Sequence, residues 1–167
     1  MLKIEVTDLQ PLSTFPLNWR WTDSKWNELP KSDLEQIKPL TKTKAKEFWR
    51  ILGHYVLSDG PRVSLFECSE WIDATLDAPG AFEKIRDWLF GRLSEREQSV
   101  IISWDKDTAV LTSWGVFCDY WDDFCYPSSD DVTVFPLSID WVLFYQHFER
   151  FVFGTKSVTA KSTKALI

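Results

Sequence analysis

Apolar residues recur along the chain with two different periods, and the change of period divides it into predicted elements. From Thr41 the residues Ala45, Phe48, Trp49, Leu52, Tyr55 and Val56 follow at spacings of three and four, which marks one buried helical stripe. Phe82, Ile85, Trp88, Leu89 and Leu93 repeat the pattern, leaving Glu83, Lys84, Arg86 and Asp87 for the opposite face. Trp114, Phe117, Cys118, Trp121, Phe124 and Cys125 do so again, with Ser113 placed to cap this helix and Pro127 to end it. A shorter helix is expected at SDLE, where Ser32 and Glu35 have capping-box spacing, with Pro39 closing it.

Strand-like runs occupy most of the remainder. LKIEV at 2–6 alternates, and PLSTFPLN breaks the chain before a second short strand at NWRW. SVIISW and TAVLTSW flank the tight turn DKD as a hairpin, DVTVF follows the helix breaker, and DWVLFYQ and FVFG form a final hairpin around HFER. LSDGP reads as a turn. The segment 62–76 reads two ways, RVSLFE as a strand and ECSEWIDATL as a short helix. Helices dominate the first half and a strand meander the second. This predicts a single α+β domain over 1–154, a mostly antiparallel sheet with helices packed on one face, followed by a flexible basic tail at 155–167.

Composition refines the picture. A chain of 167 residues that is 44% hydrophobic is long enough for one core. Ten tryptophans and twelve phenylalanines exceed what that core needs, so some aromatic rings are expected at the surface. No run of apolar residues reaches membrane-spanning length and the first residues lack a basic-then-apolar signal, which predicts a soluble, cytoplasmic protein. Cys68, Cys118 and Cys125 have no zinc spacing and cannot pair completely, so reduced, buried thiols are expected. His54 and His147 are read as helix-end and turn residues without a catalytic partner. No phosphate loop, dinucleotide turn or nucleophile elbow occurs, and no cofactor is expected. A net charge of -6 disfavours nucleic acid, whose affinity depends on clustered lysine and arginine.

Charge is segregated. Between 101 and 140 eight aspartates face the single base Lys106, whereas Lys38, Lys42, Lys44, Lys46 and Arg50 outnumber Glu47 between 38 and 50. The densest stretch is DYWDDFCYPSSDD at 119–131. Asp119, Asp122, Asp123, Asp130 and Asp131 are therefore candidate contacts for a basic protein partner, with Tyr120, Trp121 and Tyr126 as candidate anchors. Trp121 also has core spacing. The same acids offer the pair of carboxylates that a small hydrolase or metal-dependent enzyme would use, although their spacing matches no calcium loop and no metal is expected. Trp19, Trp21, Trp26, Trp104, Trp114, Trp121 and Trp141 raise a third reading, stacking platforms for sugar.

The stretch KWNELPKSDLEQIKPLTKTKAKEFW resembles an uncharacterised family of small bacterial proteins, through Leu29-Pro30, Asp33-Leu34, Gln36-Ile37-Lys38-Pro39, Leu40-Thr41, Ala45 and Trp49. A looser likeness continues through SWDKDTAVLTSWGVF and the WDDF region to FYQHFERFVFG. It implies no catalytic residues. In build the chain is also similar to bacterial immunity proteins, which neutralise basic secreted toxins. That likeness implies a protein-binding inhibitor.

Overall fold

The runs VII and WVLFY are apolar at consecutive positions and VTVF is buried at every one, and each lies in a strand covered on both sides. The computed structural model describes residues 2–56 and 66–156, apart from the side chains of 52–56 and 69. Seven strands, β1 (Lys38–Pro39), β2 (Phe66–Asp73), β3 (Ser99–Ser103), β4 (Ala109–Ser113), β5 (Val132–Pro136), β6 (Trp141–Gln146) and β7 (Arg150–Lys156), make one sheet. Their order is β1-β4-β3-β5-β6-β7-β2, and every neighbouring pair is antiparallel. The helices are α1 (Trp19–Thr22), α2 (Lys31–Leu34), α3 (Lys42–Val56), α4 (Ala81–Arg92), α5 (Trp114–Asp119) and α6 (Trp121–Phe124). The fold is α+β.

Alternation within the strands builds two cores. Val100, Ile102, Val110, Val134, Leu143 and Phe151 share one core with α1, α4, α5 and α6. Ile101, Ala109, Phe135 and Val142 point the other way and pack with Ala45 and Phe48 of α3, where the Phe48 and Phe135 rings meet edge to face at 6.3 Å. Helices thus cover both faces of the sheet, which corrects the expectation of one covered face. Consecutive apolar residues cannot all point to one side of a pleated strand.

Several local expectations are met. Ser113 Oγ accepts from Val116 N–H as the α5 N-cap. Both hairpins form, and α3 and α4 lie where their stripes place them. Others are corrected. LKIEV forms no strand: Asp8 accepts from Glu5 N–H at 2.9 Å and turns the chain into a 3-10 turn at Val6–Asp8. NWRW is a helical turn whose Trp21 and Arg20 are buried, four residues being too few for a period to show. The box at SDLE does not close, since α2 starts one residue earlier after Pro30 with no side-chain cap. Pro39 lies in β1.

ECSEWID is strand, not helix, because pairing with β7 supplies its hydrogen bonds, with a bulge between Cys68 and Glu70. Gly154 permits that pairing: a Cβ there would sit 2.6 Å from Cys68 Sγ. Cys68 is exposed, unlike Cys118 and Cys125, and all three are free. β7 extends through Thr155 and Lys156, two residues into the expected tail. The turn LSDGP, most of RVSLFE and the tail from 157 onward lie outside the described residues, as does the side chain of His54.

Candidate functional site

The single helix expected over 114–125 is two. At Tyr120 the backbone takes φ -131 and ψ 30, which ends α5 and starts α6 in a new direction. Trp121 and Phe124 then insert into the core, Trp121 stacking on Phe82 at 5.8 Å and meeting Phe151 edge to face at 5.5 Å. The break also separates the acids that one continuous helix would have gathered on a common face. Asp119 remains on α5 and pairs with Arg96. Asp122 and Asp123 turn with α6 into a cleft.

That cleft has a volume of about 330 Å³. Trp26, Leu76, Trp121, Tyr126 and Tyr145 give it an apolar and aromatic lining, and Asp122, Asp123 and Glu149 supply three carboxylates with no lysine or arginine among its lining residues. Trp26 is 62% exposed and Leu76 49%, so one wall is formed by large apolar groups that solvent reaches. Asn27, beside Trp26, donates to Asp123 Oδ2 at 2.6 Å and ties this wall to α6. Ala74 N–H donates to Glu149 O at 2.7 Å, which ties the wall carrying Leu76 to the β6–β7 turn. Glu149 itself is held at φ 63, a left-handed conformation that an L residue adopts at a cost.

Burial raises the carboxyl pKa of Asp123 to about 6, against the opposing pull of the Asn27 donor. Burial also raises Asp122, partly offset by backbone N–H groups of Asp122 and Asp123. Neither forms a salt bridge among the described residues. Two adjacent carboxylates are thus poorly solvated and form no ion pair, although the charge of nearby Arg20 favours ionised Asp123. Tyr126 is likewise raised by burial.

The other candidate residues serve the structure. Asp130 is buried and accepts from Arg20 Nη1 at 2.6 Å and Nη2 at 3.2 Å, from Tyr126 N–H at 2.9 Å and from Ser129 Oγ at 3.1 Å. Arg20 is buried beside it and lies over the Tyr126 ring, 4.2 Å from the centroid. Asp131 accepts from His147 N–H at 3.0 Å and meets Nδ1 at 3.0 Å, which gives His147 the partner that sequence reasoning did not find. Tyr120 Oη donates to Asp33 Oδ2 at 2.6 Å. Its phenol is raised to about 12, first by burial and then by that acceptor. Trp121 is 1% exposed, so it reaches the cleft only as part of the wall and cannot project into a partner. The eight residues therefore do not form one acidic face. Asp122, Asp123 and Tyr126 meet at the cleft, with Trp121 behind them.

Segregated charge is also reduced by folding. Lys46 of the basic run pairs with Asp107 at 3.3 Å, and Lys44 with Asp8 at 3.4 Å and Glu47 at 3.0 Å. Sequence reasoning missed Leu76 and Glu149 and named Trp26 only as a possible sugar platform; the three come from separate segments and carry no local signal of meeting. Among the described residues no group of three His, Cys, Asp or Glu is placed to hold a metal, and no helix is long and apolar enough to cross a membrane. Trp19 and Trp26 adjoin at 5.3 Å but are tilted by 59°, not coplanar as a sugar platform would require. No family model, curated protein or solved structure matches the chain, so function has to be argued from its own residues.

Proposed function

We propose that the protein is a binding module that takes a basic side chain of another protein into the Asp122–Asp123 cleft, acting as an immunity-type inhibitor that occludes a basic toxin or effector. The observation that carries this reading is the set of three carboxylates lining one aromatic cleft with no lysine or arginine among its lining residues, Arg20 behind Tyr126 being committed to Asp130. A neutral ligand would leave their charge uncompensated, whereas a cation replaces the lost hydration. Exposed Trp26 and Leu76 beside the acids supply the anchoring area that charge alone lacks. In this role the protein acts in the cytoplasm.

Titration with lysine- and arginine-rich peptides, followed by tryptophan fluorescence over a salt series, tests the reading. Binding should weaken with salt, and Asp122→Asn should lower affinity at least about fivefold, roughly the worth of one partly buried charge contact. Equal binding by the variant, or a preference for acidic peptides, would sink the proposal. A second reading has one observation in its favour: Asp123, at about 6, retains a partly protonated fraction near neutrality beside a second acid, as a general acid requires. Turnover of nitrophenyl glycosides or esters that disappears in Asp123→Asn would favour a small hydrolase.

A further inference from the structure

We infer that this end of the molecule pairs with a second copy of itself, the Arg150 side chain of each copy meeting the cleft of the other. The inference rests on the cation-binding half of the reading above and gives the cleft an occupant from within the protein's own population. Five large apolar residues stand well exposed among the described residues, and four of them, Trp26, Trp71, Leu76 and Phe148, surround the β6–β7 turn. Trp26 and Leu76 flank the cleft on one side of that turn, together with Glu149. On the other side Arg150 lies over the Trp71 ring, 4.6 Å from its centroid, and 5.7 Å from that of Phe148. Trp71 is 60% exposed and Phe148 55%. Apolar surface concentrated in this way marks an interaction site.

Charge selects the occupant. Asp73 is the cross-strand neighbour of Arg150, yet Arg150 forms no salt bridge among the described residues. Glu149 and Asp123 Oδ1 in the cleft accept no hydrogen bond among the described residues. One surface thus presents a ring-backed cation beside ring-backed acids, and a partner must carry the complement of both. The same end of a second copy does. Ile72 and Phe151 pack into the core that holds Trp121 and Tyr145 of the cleft, so their chain neighbours Trp71 and Arg150 lie on the opposite face of the sheet. A two-fold axis in the sheet plane and across the strands brings the two turns tip to tip and reverses the faces, which sets each Arg150 against the other copy's cleft. At ordinary side-chain areas the four apolar residues then bury about 900 Å² over both copies, the centre of an interface at the small end of the specific class. A basic partner competes with the second copy, and the open cleft belongs to the monomer.

Sedimentation velocity on the intact protein over a concentration series tests the inference. Wild type should pass from monomer to dimer with a dissociation constant of about 1 to 100 μM, as a small interface gives, and should dissociate further at high salt. Arg150→Glu and Glu149→Lys should each weaken self-association at least about tenfold by setting like charges together. An equimolar mixture of the two should associate, since one contact is then wild type and the other is reversed on both sides. Urea midpoints near wild type identify the effect as one on the interface, and Phe148→Ser, at an exposed site, serves if either charge variant unfolds. A wild type that stays monomeric to about 1 mM overturns the inference and leaves the basic-partner reading to its own peptide titration. A dimer that both variants keep at full strength, or variants that lose it and do not associate when mixed, overturns the inference as well. Dimerisation of the wild type without any binding of basic peptides by the monomeric Arg150→Glu variant supports the inference and overturns the reading of an external basic partner.

Discussion

Replacing Asp123 by Asn should stabilise the protein at neutral pH, although it alters a hydrogen-bonded residue that is only 8% exposed. Ionised Asp123 is disfavoured by burial, and its pKa stands at about 6 against an ordinary value of 3.8. That rise corresponds to about 3 kcal/mol of unfavourable ionisation in the native state. Asparagine removes the charge and keeps a carbonyl oxygen for Asn27 Nδ2, so about 1 to 3 kcal/mol of that cost should be recovered. The sign follows from linkage. The folded protein holds the Asp123 proton more tightly than the unfolded chain, so this contribution is complete below the ordinary carboxyl range and is lost as pH rises through about 6. Asp122 acts in the same direction. Asp8 and Asp73 are lowered, Asp8 mainly by a backbone hydrogen bond and Asp73 mainly by Thr75, so their contributions are lost only as pH falls below the ordinary carboxyl range. The interval from pH about 4 to about 7 therefore isolates the cleft. Urea denaturation followed by tryptophan fluorescence across that interval should show wild-type stability falling and the variant's falling less steeply, through Asp122 alone. Identical pH dependence in the two proteins, or a variant less stable at neutral pH, would refute the assignment of an uncompensated buried charge to Asp123.

Two other substitutions should act in the opposite direction. Asp130→Ala leaves Arg20 charged and buried with only the distant Phe124 carbonyl, 3.5 Å from Nη1, and should cost about 3 to 5 kcal/mol in urea denaturation. Ser113→Ala removes the α5 cap, together with the Ser113 Oγ to Gln36 Oε1 bond of 2.9 Å, and should cost about 0.5 to 2 kcal/mol by the same assay. Glu149→Gly should raise stability by up to about 1 kcal/mol, because the third residue of this short hairpin turn is left-handed and glycine adopts that conformation freely, while ligand affinity falls with the lost carboxylate. A measurable loss of stability in that variant would show that the side chain of Glu149 supports the fold.

Long-period signals were legible before the structure, and short or non-local ones were not. The stripes of α3 and α4 and the two hairpins lie where periodicity placed them, since each spans enough residues to average out single exceptions. NWRW and LKIEV were misread, and the segment holding ECSEWID was left open between strand and helix. Apolar pattern does not report the hydrogen bonds that decide the conformation: the local Asp8–Glu5 bond at LKIEV, and the long-range pairing with β7 at ECSEWID. The covering of both sheet faces was written in the unbroken apolar runs of β3 and β6, which a one-faced sheet cannot accommodate.

The aspartates carry the same lesson into function. Density of acids along a sequence says nothing of which ones keep their charge available, because a fold selects among them by the partners it brings. Arg96, Arg20 and His147 come from distant segments to meet Asp119, Asp130 and Asp131. Asp122 and Asp123, equal to these in the sequence, are left in a cleft without a salt bridge. Burying two adjacent carboxylates in this way opposes folding, and a purely structural demand would have been met by neutral residues at lower cost. The strained Glu149 adds a third acid to the same cleft where glycine would suit the turn better. Three separate departures from stability thus converge on one aromatic cavity, and on the proposed reading a ligand cation would recover free energy that the empty protein forgoes.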